Sequence, residues 1–85
     1  IECALEAVLF SLGEAVEIEK LAEALEVKEE EITEASIALQ KRYDEEKRGI
    51  KIIEIENSIQ MCSNPEYFEC IKRVSQIKKQ AGLLA

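Results

Sequence analysis

The spacing of apolar residues changes twice along this chain, and the order of the three periods restricts the folds open to it. Over residues 1 to 12, Ile1, Leu5, Val8, Leu9 and Leu12 fall on one side at helical spacing, and Gly13 ends the run. After Gly13-Glu14-Ala15-Val16 the same spacing returns in Ile18, Leu21, Ala22 and Leu25, which predicts a short second helix. Val27 and Lys28 separate it from a third, marked by Ile32, Ala35, Leu39 and Tyr43, with Gly49 as its expected stop. From Ile50 the period becomes alternating. Ile50-Lys51-Ile52 runs in one phase and Ile53-Glu54-Ile55 in the other, which suggests a strand with a bulge at the change. Asn57-Ser58 reads as a turn tolerant of positive φ, and Ile59-Gln60-Met61 as the returning strand. The helical period then resumes. Asn64-Pro65 offers an N-cap followed by proline at the first helical position, and Tyr67, Cys70, Ile71, Val74 and Ile77 trace the apolar face of a fourth helix.

Helix, helix, helix, hairpin, helix is the order expected of a mainly α domain with a small β-hairpin. Three helices closed by a two-stranded wing form a winged helix, to which the C-terminal helix is an addition. The expected domain covers residues 1–79. Residues 80–85 are read as the start of a linker to a second winged-helix domain, because an apolar Ala-Gly-Leu-Leu-Ala run follows the helix without a polar cap. The chain opens at Ile1 with its helical pattern already running and no initiator Met, so it reads as a fragment.

At 85 residues the core is thin, and contacts with partners would add to its stability. With 47% hydrophobic and 34% charged residues, the composition is that of a folding chain. The apolar stretch Ala7 to Phe10 is too short to cross a bilayer. There is no His, and the three cysteines Cys3, Cys62 and Cys70 are one ligand short of a structural zinc site. Their odd number and wide spacing also argue against a disulfide framework. They read as reduced, packed side chains in a reducing compartment.

Catalysis has little to work with. The chain lacks a Gly-rich phosphate loop and any carboxylate pair held between turn residues, and its many Glu side chains occupy solvated helical positions, so the reading is of a non-enzyme without metal or cofactor. Nucleic-acid binding is the rival, because winged helices commonly place the third helix in the major groove. Charge opposes it. The leading half of that helix carries Glu29, Glu30, Glu31 and Glu34, and residues 1–46 hold fourteen acidic side chains against four basic ones. Lys72, Arg73, Lys78 and Lys79 form a basic patch in the later half, best read as cations favoured near a helix C-terminus.

A protein-interaction module remains, and the first helix carries a positive sign of one. Cys3, Ala7 and Phe10 fall together on a side that cannot face the same core as Leu5 and Leu9. This second stripe must meet either the fourth helix or another chain, and Ile37 on the third helix poses the same question. Cys3, Ala7, Phe10 and Ile37 are therefore the candidate dimer contacts.

Three segments resemble a known family. Leu5-Glu6-Ala7-Val8-Leu9-Phe10-Ser11-Leu12-Gly13-Glu14-Ala15-Val16, followed by Ile18-Glu19-Lys20-Leu21-Ala22, is similar to the opening "E-A-L-L-F-x-x-G-E-P-V" of the amino-terminal domain of segregation and condensation protein B. Gly49-Ile50-Lys51-Ile52 with Ile59-Gln60-Met61 resembles the family's wing, and Ser63-Asn64-Pro65-Glu66-Tyr67 its "T-x-P-E-Y". The chain departs from the pattern at Ala15, where the family usually has Pro, and at Glu17, where Ser or Thr would cap the second helix. Ser36 and Ile37 exchange an apolar and a polar position, which bears on the rotation of the third helix. The resemblance implies a homodimeric accessory subunit of a bacterial structural-maintenance-of-chromosomes complex. It would clasp a kleisin that bridges the ATPase heads, act in chromosome segregation and condensation, and lie in the cytoplasm, associated with the nucleoid through the complex. A winged-helix DNA-binding transcription regulator is the alternative.

Overall fold

Helix formation follows the apolar stripes closely. In the computed structural model, which describes residues 1–84 and their side chains through residue 79, α1 spans Glu2–Leu12 and buries Leu5 and Leu9. Gly13 closes it in the left-handed region, at φ 65°, with its N–H donating to the Leu9 carbonyl at 3.1 Å. Ile1 and Leu12, expected on the core side, are exposed; they stand at the two ends of the helix, one as its N-cap and the other as its last residue.

The second helix, α2, spans Ile18–Leu25 and buries Ile18, Leu21 and Ala22. Glu17 provides no side-chain cap. The Ile18 N–H instead donates to the Asn57 carbonyl at 2.8 Å, so the wing's turn satisfies a helix terminus that the local sequence leaves open. The third helix, α3, spans Glu29–Glu45, and its first turn is tied by the Lys28 N–H donating to Glu31 Oε2 at 3.0 Å. Ile32, Ala35, Leu39 and Tyr43 are all buried, as their spacing predicts. The exchange at 36 and 37 does not rotate the helix: Ser36 is 1% exposed, its hydroxyl accepting from Gln40 Nε2 at 3.1 Å, and Ile37 is 58% exposed. Gly49 is not the stop. The helix ends at Glu45 and Lys47 takes the positive φ, 52°, because the left-handed residue that reverses the chain has to follow the last helical turn directly.

The expected two-stranded hairpin is part of a three-stranded antiparallel sheet. β1 (Val16–Glu17), β2 (Ile50–Ile55) and β3 (Ser58–Ser63) lie in the order β1-β3-β2, with Val16 opposite Ile59. A two-residue strand is too short to leave a period in the sequence. No bulge interrupts β2, which pairs without a break from Ile50 opposite Ser63 to Ile55 opposite Ser58. The change of apolar phase has another origin: Ile50 and Ile52 face the helices, while Ile53 and Ile55 lie on the opposite face of a strand that is apolar on both sides. The turn is Glu56-Asn57, one residue earlier than expected, with the positive φ of 55° at Glu56.

Helices α1–α3 and the sheet enclose one core in which Leu5, Leu9, Leu21, Ile32, Leu39, Tyr43, Ile52 and Ile59 meet. This is the winged-helix arrangement. After β3, Asn64 accepts from the Glu66 N–H at 3.0 Å and donates from Nδ2 to the Arg48 carbonyl at 3.2 Å, which ties the start of the last segment to the α3–β2 connection. Pro65–Tyr67 form a 3-10 turn, and α4 runs from Phe68 to Leu84. It packs mainly against that turn and leaves Ile71, Val74 and Ile77 exposed, in a molecule whose longest extent is 50 Å against 27 and 22 Å. The linker expected over residues 80–85 lies outside the residues described in full.

Candidate interaction surface

With Leu5 and Leu9 in the core, helical geometry turns Cys3, Ala4, Ala7, Phe10 and Ser11 outward, and all five are exposed. Phe10 is 69% exposed. In a chain one-third charged, this face of α1 carries no charge at all. The flanking carboxylates turn instead toward α3, where Glu2 meets the Arg42 guanidinium at 2.5 Å and Glu6 accepts from the Tyr43 hydroxyl.

Ala7 and Phe10 line a cleft of about 330 Å³ with Glu6, Ser11, Tyr43, Arg48, Ile50 and Met61. Its floor is rigid. Tyr43 is 2% exposed, the Arg48 guanidinium lies 5.0 Å from its ring centroid, and burial together with the Glu6 contact pushes its phenol pKa up to about 12. Cys3 lines a separate groove with Ile1, Glu2, Glu31, Glu34, Ala35 and Arg42, and Ile37 lines neither. The structure thus joins Ala7 and Phe10, continues their face to Cys3, and leaves Ile37 as an isolated apolar residue on α3.

The α4 helix does not cover the stripe. Its own apolar face, formed by Cys70, Ile71, Val74 and Ile77, is exposed, and so is Phe68. Of the three cysteines, expected to be packed, only Cys62 is part-buried; Cys3 and Cys70 are exposed, because both stand on helix faces that nothing covers. Spacing revealed the apolar face of α4, but spacing alone could not say that the face stays open. The cleft residues Glu6, Arg48 and Met61 were not identified from sequence, since they converge from three separate elements.

The face by which winged helices usually meet phosphates is acidic here. Glu29, Glu30 and Glu34 of α3 line one groove with Glu54 and Glu56 of the wing, so carboxylates stand where phosphate-binding cations would be needed. Among the described residues no group of three or more His, Cys, Asp or Glu could hold a metal ion, and no helix is long and apolar enough to cross a membrane.

Comparison with known proteins places these features in a family. The family model described as segregation and condensation complex subunit ScpB matches residues 3–84. Segregation and condensation protein B of Lachnoclostridium phytofermentans is 40% identical over 80 residues, covering 94% of this chain and 42% of the relative. The protein of the same name from Caldanaerobacter subterraneus is 40% identical over 79 residues, covering 93% and 47%. The chain therefore spans less than half the length of these relatives. A crystal structure of a dimer of the ScpB N-terminal domain complexed with a ScpA peptide superposes with a TM-score of 0.79 at 27% identity, covering 86% of this chain and 91% of that one.

Proposed function

Because this chain belongs to the family of segregation and condensation complex subunit ScpB, we propose that it is a non-catalytic interaction subunit of a bacterial chromosome condensation and segregation complex. In this reading it forms homodimers and binds the ScpA kleisin, which bridges the ATPase heads of the complex, in the cytoplasm at the nucleoid. One observation carries the reading: the uncharged outer face of α1, centred on Phe10, is exposed in a chain of which 34% of the residues are charged. Cys3, Ala7 and Phe10 supply the dimer contact, with Ile37 as a separate apolar contact on α3. The solved relative, a dimer with a ScpA peptide bound, supports both halves of the proposal. The acidic groove between α3 and the wing supports a domain that does not itself hold duplex DNA.

The test is Phe10→Glu. Phe10 stands outside the core, so the variant keeps the circular dichroism of the parent, while a charge buried unpaired in a dimer contact costs several kcal/mol and yields monomers by light scattering. The full-length protein should retain ScpA from an extract of its own organism. A folded variant that stays dimeric removes the assignment of Phe10. Tight, sequence-dependent DNA binding without capture of ScpA would put the transcription regulator in its place.

A further inference from the structure

Two apolar helix faces on this one chain are open, and they complement each other in size. The α1 face is built from the small side chains Cys3, Ala4, Ala7 and Ser11 around the single large Phe10. The α4 face consists of larger side chains at helical spacing, Ile71, Val74 and Ile77, each exposed. Small residues let a second helix approach closely, and branched side chains fill the spaces between them. The stripe from Ile71 to Ile77 spans ~10 Å along α4 and fits within the ~16 Å of α1.

Within one protomer the two faces do not meet. Asn64 ties the start of the segment to the α3–β2 connection, and α4 packs mainly against the 3-10 turn, with residues 68–79 all exposed. We propose that the outer face of α1 is covered by the α4 arm of a second copy of this chain, each copy giving one arm and receiving one. The proposal rests on the self-association described above and names the surface that answers it.

Charge selects this occupant over an α1-on-α1 contact. The arm carries Lys72, Arg73, Lys78 and Lys79 against Glu69, whereas residues 1–46 carry fourteen carboxylates and four cations. Arm on body brings opposite charges within a Debye length of ~8 Å, and body on body brings like charges together. Arg73 and Lys78 flank the arm's apolar stripe at helical spacing, and Glu2 and Glu6 flank the α1 face that they would meet. Phe10, Ile71, Val74 and Ile77 together offer on the order of 400 Å² of exposed apolar surface per copy, about half of the roughly 800 Å² per partner of a standard interface. The stems of the flanking Lys and Arg add to that, and a two-fold axis repeats the contact at no further ordering cost to the fold.

The test uses reporters at the middle of each face, so that either polarity of the arm is detected. Cys3, Cys62 and Cys70 are changed to Ser, and Ala7→Cys or Val74→Cys is then introduced singly; positions 7 and 74 are both exposed, so neither change disturbs the core. The two variants are treated with a short bismaleimide separately and after co-expression. The expected result is at least tenfold more cross-linked dimer in the co-expressed pair than in either variant alone, with light scattering showing dimers throughout. Dimers in which Ala7→Cys or Val74→Cys links only to itself would assign the contact to α1 pairs or α4 pairs and overturn arm exchange, leaving self-association standing. Dimers without any cross-link would overturn arm exchange in the same way. Monomers without cross-links would overturn self-association itself. If a ScpA peptide protected Ala7→Cys from maleimide while the chain stayed monomeric, the α1 face would belong to that partner and the proposal would fall.

Discussion

Replacing Tyr43 by Phe tests the floor of the cleft beneath Phe10, because the change removes one oxygen and keeps the ring under Arg48. The Tyr43 hydroxyl donates to the Glu6 carboxylate from a side chain that is 2% exposed. A hydrogen bond to a charged group contributes about 1.5–3 kcal/mol, and since Glu6 keeps some access to water the low end applies, about 1.5 kcal/mol at pH 8. The gap depends on pH in a defined direction. The folded phenol titrates at about 12 against 10 for the ordinary group, so the folded state holds the proton more tightly than the unfolded chain. That contribution is complete below pH 10 and is lost as pH rises through 12. The limiting loss is about 2.7 kcal/mol, with about 1.4 kcal/mol gone by pH 11. Urea unfolding followed by circular dichroism at 222 nm, at one protein concentration and in reducing buffer, should therefore find the parent more stable at pH 8. The two proteins should be equal near pH 11, and the Phe variant more stable above it. Lysine titration affects both alike and cancels in the difference. A gap that stayed constant from pH 8 to 11.5 would refute the buried, Glu6-bound phenol.

Leu39→Ala opens a cavity at a residue only 1% exposed and should cost about 2–5 kcal/mol, visible as a large drop in urea midpoint with little change in slope. Glu56→Gly relieves a left-handed turn residue at the tip of the wing; after the added freedom of the unfolded chain is discounted, a gain of about 0.5–1 kcal/mol should raise Tm by about 2–8 °C in differential scanning calorimetry. Mobility-shift assays with duplex DNA at physiological salt should detect no specific complex with the fragment up to ~10 μM, given the five carboxylates of the α3–wing groove.

The elements of this fold were legible because each helix announces itself by a local period. Leu21 and Ala22, or Ile32, Ala35, Leu39 and Tyr43, are buried where spacing alone places them, since one face of a helix must leave water. Spacing showed the exchange at Ser36 and Ile37 but left the rotation of the helix open; the structure keeps it unrotated, because four buried apolar neighbours outweigh one buried hydroxyl that finds a partner in Gln40. The outward stripe of Cys3, Ala7 and Phe10 was equally visible, because residues that cannot share a side with Leu5 and Leu9 must point elsewhere. What the sequence left open were features decided by groups distant in the chain. The missing cap of α2 is supplied by the Asn57 carbonyl, the third strand exists only because Val16 reaches Ile59, and the mixed phase of β2 is two apolar faces rather than a bulge. The largest such feature is the direction of α4. Its apolar face is encoded by local spacing, but that this face stays open is seen only in the structure, where α4 packs mainly against the 3-10 turn at its own start. Periodicity is a property of neighbours along the chain and can be read from them; the orientation of one element against another is set by contacts between residues far apart in sequence, and only the tertiary structure brings those together.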